Sequence, residues 1–296
     1  MGEKPGIVAA ALVPGMPHLL AGSPAPSWKD LRIGIETVGN RFRDAGVQTV
    51  VMLSTQWFTV IGHQFQLDPN PRGMRTDENW YAYDYGTMRF DLRTDVELTE
   101  RWIALAGQSG LQTRRTHYEG FPIDTGTVVA TTLLDPGRRF EIASVSCNLY
   151  AEIDTLATLG STAVEAAVVS GKRVGVVAVS GLSSGLIQRW IVPAQDHIAE
   201  PAHDRWNRRV IDALTHGQVD EVLAMREAYA REAAADSQFR ALAFLLGAGV
   251  LARPAELLAY GSIWGTGAAV LYWAAENLAP RNTSEHRVTP APRKDF

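Results

Sequence analysis

Short apolar segments rich in β-branched residues alternate along this chain with longer amphipathic segments, and this alternation restricts the available folds more than any other feature. Four segments predict strands, and the last two are continuous enough to be buried on both faces. They lie at 7–13, 49–53, 140–145 and 173–179. Helical patterns at 28–45 and 154–170 fall between them. The order predicts an α/β fold: a single domain with a central mixed, largely parallel sheet flanked by helices.

The second half of the chain predicts a helical region, a pair of strands and a tail. The helical pattern covers 204–252, and the strands at 256–260 and 268–273 enclose a turn at 261–267. We expect the folded domain to cover 1–278. Residues 279–296 are rich in Pro, Arg, Ser and Thr, which predicts a loose C-terminal tail.

One internal segment, 68–86, is rich in Pro, Gly, Asp and Asn and predicts a long loop. Loops of that length in compact domains usually serve a function or contact a partner. We therefore treat this segment as a candidate contact region.

Composition excludes several classes of partner. The 296 residues contain 28 Lys and Arg against 32 Asp and Glu without a concentrated basic stretch, so we expect no nucleic acid. No apolar run approaches the roughly 20 residues that cross a bilayer, so we expect no membrane partner. A single cysteine, Cys147, cannot form an internal disulfide, which predicts a cytoplasmic location. Because Cys147 follows a predicted buried strand, we expect it in the core.

The residues best suited to binding or catalysis lie just after three predicted strands, where ligands bind in open α/β sheets. Pro14 to His18 follow the first strand, and Ser54 to Trp57 follow the second, with His63 shortly beyond. Ser180 to Gly185 follow the strand that ends at Val179.

Two histidines allow a metal hypothesis. His18 and His63, with Glu232 or Glu227, could form a two-His, one-carboxylate iron site. Their spacing lacks the helical repeat of a strong metal motif. The more common role of such residues is a hydrogen bond that closes a strand-to-loop turn.

A serine hydrolase is a more remote hypothesis. Residues 181–185 match G-x-S-x-G after a predicted strand, with Ser183 in the nucleophile position. Asp196 and either His203 or His216 would complete a triad in the required order. No oxyanion loop of the HGGG type is present in the sequence.

Several longer segments resemble a known family. They are LVPGMPHL at 12–19, STQW at 54–57, DENWY at 77–81, GFPIDTGT at 120–127, DHIA at 196–199 and the turn at 261–267. Together they resemble the class III, LigB-type extradiol ring-cleaving dioxygenases from about residue 6 to 273. The segments at 77–81 and 120–127 are most similar to the alpha subunits of the 2-aminophenol 1,6-dioxygenase branch.

This resemblance implies a degenerate active site. Catalytic members of the family bind Fe(II) through two histidines and one glutamate and use a further histidine as acid and base. The two ligand histidines fall at Gly15 and Gln56 of this chain, and the acid/base histidine falls at about Ser184. The ligand glutamate falls near Ala233, beside Glu232. His18 matches a second histidine of the first motif that is not a ligand.

The resemblance therefore implies a non-catalytic, iron-free alpha-type subunit that supports an iron-bearing beta subunit, with no cofactor in this chain and Fe(II) in the partner. The expected assembly is a heterotetramer that cleaves 2-aminophenol-like or catechol-like rings. Aromatic residues suited to an interface are Trp57, Trp80, Tyr81 and Tyr83, although they could equally pack their own loop. The alternative is a self-sufficient Fe(II) dioxygenase that uses His18, His63 and a glutamate.

Overall fold

The computed structural model describes residues 5–21, 25–75, 88–118 and 120–274. Within them the strands are β1 (Gly6–Val13), β2 (Thr49–Thr59), β3 (His63–Gln66), β4 (Arg72–Arg75), β5 (Met88–Asp91), β6 (Thr113–Thr116), β7 (Glu141–Asn148), β8 (Arg173–Val179), β9 (Glu256–Ile263) and β10 (Thr266–Ala274). The helices are α1 (Pro26–Asp44), α2 (Val96–Gln108), α3 (Thr125–Leu134), α4 (Ile153–Ser170), α5 (Pro201–Thr215), α6 (Val219–Glu232) and α7 (Arg240–Gly247).

Eight strands form one mixed sheet in the order β6-β3-β7-β2-β8-β1-β10-β9. The central strands β7, β2, β8 and β1 are parallel to one another. The β9–β10 hairpin adds to β1 in the antiparallel direction, and β3 adds to β7 in the same way on the other side. The mixed, largely parallel sheet predicted from the sequence is confirmed.

Helices cover both faces of this sheet. On one face α1 and α3 pack against a core that includes Trp28, Phe42 and Val129. On the other face α2, α4, α5, α6 and α7 surround a larger core that includes Trp102 and Phe244. All five side chains are fully buried. Because both faces are covered, the central strands are buried along most of their length, as parallel strands usually are.

Most predicted elements are confirmed, with three corrections. The pattern at 204–252 is not one continuous helical region, since α5, α6 and α7 are separated by breaks at Gly217 and near Ala233. The predicted loop at 68–86 contains β4, which pairs with β5 in a small separate hairpin. The second strand continues six residues beyond its predicted end at Leu53, through Thr59. The predicted C-terminal tail at 279–296 lies outside the described residues.

The single cysteine lies in the core, as predicted. Cys147 is in β7 and is fully buried. Burial raises the pKa of its thiol to about 12, so the thiol stays protonated and unreactive at neutral pH. Among the described helices, none is long and apolar enough to cross a membrane.

Candidate functional site

Three chain segments meet at the carboxyl ends of β1, β2 and β8, where ligands bind in sheets of this type. The amide nitrogen of Gln56 donates a hydrogen bond of 3.1 Å to the carbonyl oxygen of Gly15. The structure therefore brings together the two positions that the family resemblance assigns to ligand histidines. Their contact links the loop after β1 to the continuation of β2.

The first turn of α3 is fixed against the same place. Asp124 caps this helix by accepting a 3.0 Å hydrogen bond from the backbone N–H of Thr127. The same carboxylate oxygen accepts a 2.6 Å hydrogen bond from the hydroxyl of Ser54, which is buried in β2. A carboxylate at a helix N-terminus is also favoured by the helix dipole. These bonds seat the start of α3 directly on β2.

Two glycines, Gly15 and Gly126, allow the start of α3 to approach the loop after β1 and the side chains of β2 closely. A Cβ atom added to Gly15 would lie 2.5 Å from Cα of Gly126 and 2.6 Å from Cγ1 of Val179. One added to Gly126 would lie 2.7 Å from Oγ of Ser54 and 3.2 Å from Cδ of Gln56. Such distances are far below van der Waals contact, so the backbone of α3 occupies the space into which a side chain at Gly15 would extend.

A carboxylate that the sequence analysis missed, Asp236, connects the remaining loops of this edge. Its Oδ2 atom accepts hydrogen bonds from the hydroxyl of Ser180 at 2.9 Å and from the backbone N–H of Gly181 at 2.7 Å. The hydroxyl of Thr55, next to Gln56, lies 3.1 Å from the same oxygen. Asp236 thus joins the ends of β2 and β8 to the segment between α6 and α7.

The backbone around Asp236 is strained. Left-handed φ angles occur at Ala234 (46°), Ser237 (45°), Gln238 (52°) and Phe239 (75°). Residues other than glycine seldom adopt this conformation, because it brings Cβ too close to the following carbonyl. Backbone strain of this kind concentrates at functional sites, where the surrounding structure holds it in place. Here the hydrogen bonds of Asp236 supply part of that restraint.

The other two aligned positions lie beside one another. The backbone N–H of Ser184 donates a 3.0 Å hydrogen bond to the carbonyl of Ala234. Ala233 is fully buried, and the carboxylate of Glu232 accepts from the indole N–H of Trp206 at 3.2 Å and from Arg231 at 3.0 Å. Glu232 thus bonds to α5 and to its own helix, whereas Asp236 joins Thr55 of β2 to the loop after β8.

His18 lies beside this edge, in contact with the rings of Trp28 and Trp264. Its ring makes an edge contact with Trp28 at 4.9 Å and stacks on Trp264 at 5.9 Å. The Asp196 carboxylate accepts from the Trp28 indole at 2.7 Å and from the backbone N–H of Trp264 at 2.7 Å. Burial lowers the pKa of His18 to about 4, although the nearby charge of Asp196 opposes the shift.

The low pKa of His18 predicts a loss of stability in acid. Because this pKa of about 4 lies below the ordinary value of 6.5, the unfolded chain takes up the proton first as the pH falls. The contribution to stability is complete above pH 6.5 and about 3 kcal/mol smaller once the pH reaches about 4. In a His18→Gln variant, the free energy of unfolding measured in urea should depend less steeply on pH between about 4 and 6.5. An equally steep pH dependence in His18→Gln would contradict the assignment of the lowered pKa to His18.

The structure does not bring together the alternative iron ligands. His63 begins β3, which is separated from β1 by β7, β2 and β8, or about 19 Å at the usual strand spacing. Burial lowers the pKa of His63, and its Nδ1 lies 3.4 Å from the carbonyl of Ser146. Within residues 5–21, 25–75, 88–118 and 120–274, no cluster of three or more His, Cys, Asp or Glu side chains could hold a metal ion.

The proposed serine nucleophile has a structural role. Ser183 is fully buried, and its hydroxyl oxygen accepts from the amide of Asn207 at 2.9 Å and from the backbone N–H of Gly267 at 3.1 Å. The predicted acid, Asp196, holds Trp28 and the turn after β9, and His216 lies exposed at the end of α5. His203 lies near Gly185, but among the described residues the Ser183 hydroxyl bonds to Asn207 and Gly267 and to no histidine, so the G-x-S-x-G match is a buried turn.

Of the predicted interface residues, only Trp57 lies within the described residues. It is half-buried next to Gln56, and its ring packs on Phe121 at 5.7 Å between ring centroids. The other three, Trp80, Tyr81 and Tyr83, lie in the segment that the structure does not describe.

Known proteins match this chain along almost its whole length. The 2-aminophenol 1,6-dioxygenase alpha subunit of Pseudomonas sp is 32% identical over 270 residues, which cover 90% of this chain and 98% of that protein. The beta subunit of 2-aminophenol 1,6-dioxygenase from Pseudomonas sp is 26% identical over 290 residues, which cover 90% of this chain and 93% of that protein.

The fold is also found in a solved structure. The crystal structure of an uncharacterized protein from Escherichia coli K12 superposes with a TM-score of 0.65 at 14% identity, covering 90% of this chain and 99% of that one. The sequence profile described as the catalytic LigB subunit of aromatic ring-opening dioxygenase matches residues 10–270. The chain therefore belongs to the LigB family of aromatic ring-opening dioxygenases, as the sequence motifs predicted.

Proposed function

We propose that this chain is an iron-free alpha-type subunit of a heteromeric class III extradiol dioxygenase, and that a separate iron-bearing beta-type subunit cleaves the ring. The substrates would be 2-aminophenol-like or catechol-like aromatic compounds. One observation chiefly supports the proposal: a side chain at Gly15, the position that the family resemblance assigns to the first ligand histidine, would collide with the backbone of Gly126.

The residues at this edge do not suit Fe(II). The two-His, one-carboxylate site of such oxygenases needs two imidazoles with open positions beside them. Gly15 has no side-chain donor, and the amide nitrogen of Gln56 is directed to the carbonyl of Gly15. The carboxylates of Asp236 and Asp124 at this edge already accept hydrogen bonds, the first from Ser180 and Gly181 and the second from Ser54 and Thr127. Any ring cleavage by the assembly would therefore take place on its partner.

An iron-free subunit can still act on its partner through binding. A protein that binds only the folded form of another raises the stability of that form by mass action. In this proposal the alpha-type chain stabilises the beta-type chain, and its former ligand positions serve as packing. The relatives from Pseudomonas sp named as alpha and beta subunits support such a pair. The single buried Cys147 agrees with a reducing cytoplasm, where we place the assembly.

Iron content tests the proposal. The chain should be expressed alone, reconstituted anaerobically with Fe(II), freed of loosely bound metal and analysed for iron. We expect essentially no iron per chain and no ring cleavage with 2-aminophenol or catechol. A beta-type chain from the same genome, with both ligand histidines present, serves as the positive control and should retain about one iron under the same treatment.

The same measurement can contradict the proposal. About one iron per alpha-type chain, lost in a His18→Ala variant, would favour the self-sufficient dioxygenase. Failure of the beta-type chain to associate with this one would leave the chain without its proposed role, whatever its iron content.

A further inference from the structure

Exposed apolar side chains form a continuous surface beside the degenerate site. We define this surface, the β2–β7 patch, by the following residues: Trp57, Phe58, Val60, Ile61, Tyr118, Phe121, Leu149 and Tyr150. Phe58 is 61% exposed, Ile61 55%, Tyr118 57% and Tyr150 77%. Large apolar side chains this exposed are common singly on protein surfaces but unusual as a group.

A shared cleft and a ring contact join six of the eight members, and a backbone hydrogen bond places Leu149 next to the end of β2. A shallow cleft is lined by Trp57, Phe58, Val60, Ile61 and Phe121, together with Thr59, Gln64 and Arg114. The ring of Tyr118 packs edge-on against Phe121 at 5.1 Å. Leu149 and Tyr150 follow β7, and the backbone N–H of Leu149 donates to the carbonyl of Thr59 at 2.9 Å.

The size of the patch suits a protein partner. A fully exposed aromatic side chain presents on the order of 150–250 Å², so Phe58, Tyr118 and Tyr150 each leave roughly 100–150 Å² in water. With the aliphatic members the patch reaches about 500–600 Å², at the upper end of the largest patches on typical monomers. A stable interface buries about 800 Å² per partner, including its polar rim. The patch therefore supplies most of one side of a standard interface.

We infer that the β2–β7 patch is the surface on which the iron-bearing beta-type subunit docks. The inference rests on the proposed function and adds the location of the contact. Because the beta-subunit relative resembles this chain along nearly its whole length, the pair would join two copies of one fold. Pairs of like chains commonly bury the same face of each, related by a two-fold axis. Trp57 follows Gln56 directly, so the partner lies beside the degenerate site.

Charge favours this partner over a second copy of the chain. Among the described residues that line the cleft, one side chain is charged, Arg114, and none is a carboxylate. A second copy would bring another guanidinium to the same apolar contact without a carboxylate to pair with it, which is unfavourable in a desolvated interface. A different chain of the same fold can carry a carboxylate there. Two substitutions in the patch, Phe58→Glu and Ile61→Glu, test the inference.

The tagged chain is co-expressed with the beta-type subunit from the same genome, and the complex is purified by affinity. We expect each patch variant to weaken association at least tenfold, since central apolar anchors dominate interface affinity. Val169→Glu is the matched control, because Val169 is 59% exposed on α4 outside the patch, and it should bind as the wild type does. Hydrogen exchange should also show protection at 57–61 and 118–121 when the partner is present.

Three results would overturn the inference. If both patch variants bind the partner as tightly as wild type, the surface is wrong, while the proposed function stands. If wild type self-associates and Phe58→Glu is monomeric without loss of partner binding, the occupant is a second copy. If the wild-type chain binds no beta-type subunit, the proposed function fails, and the inference fails with it.

Discussion

A double variant, Gly15→His with Gln56→His, is expected to lose stability and to remain without iron, although it restores both ligand types. A Cβ at Gly15 would lie 2.5 Å from the backbone of Gly126, which cannot yield as a flexible side chain can. Overpacking a close-packed interior costs about 1–3 kcal/mol for a few added atoms, and an imidazole adds more than that. Urea unfolding, together with iron analysis after anaerobic reconstitution, measures both effects.

Two single variants separate packing from chemistry. Gly15→Ala should already be about 2 kcal/mol less stable than the wild type. Gly181→Ala is the matched control at the same edge, because its added Cβ would meet no atom closer than 3.5 Å, and it should unfold as the wild type does. A stable double variant that holds one iron per chain would mean that the site lacks only its donor atoms.

Asp236→Ala is expected to cost roughly 2–4 kcal/mol of stability. Its carboxylate accepts from Ser180 and Gly181 and lies within hydrogen-bond distance of Thr55. Hydrogen bonds to charged groups contribute about 1.5–3 kcal/mol each, and a donor left buried without a partner adds a penalty. The variant also removes a restraint on the left-handed segment from Ser237 to Phe239. Equilibrium unfolding in urea gives the difference in free energy.

Two further variants make this result specific. Asp236→Asn keeps the shape of the side chain and one of its two acceptor oxygens, so it should lose less stability than Asp236→Ala. Asp212→Ala removes an aspartate whose side chain is 72% exposed on α5, and should change stability by less than about 0.5 kcal/mol. Equal stabilities for Asp236→Ala and the wild type would show that the loops of this edge are held by other contacts.

The sheet could be predicted from the sequence because its centre is buried on both faces. A continuous apolar run, such as the one at β8, directly predicts a buried parallel strand. The end of β2 was misplaced because Ser54, Thr55 and Gln56 are polar, and polar residues usually end a buried strand. In the folded chain Ser54 bonds to Asp124 and Thr55 to Asp236, so these hydroxyls have partners that no local pattern reveals.

The site was only partly predictable for a similar reason. Gly15 and Gln56, which the family resemblance assigns to the ligand histidines, lie beside each other in the structure. Asp236 could not be predicted from the sequence, because four residues with left-handed φ angles lie between α6 and α7. Intrinsic preferences do not predict such angles for Ala, Ser, Gln or Phe. A run of Ala followed by Asp236 and Ser237, at the end of a helical pattern, was the one available signal.

The β2–β7 patch also has a consequence for how the chain must be produced. An exposed apolar surface of this size promotes aggregation when the protein is concentrated. Phe58 near the end of β2, and Val60 and Ile61 just beyond it, are each more than half exposed in the folded chain. A cell that makes this chain in excess of whatever covers the patch would accumulate insoluble protein. If the proposed beta-type subunit covers this surface, the solubility of the chain depends on the dosage of the gene for that subunit.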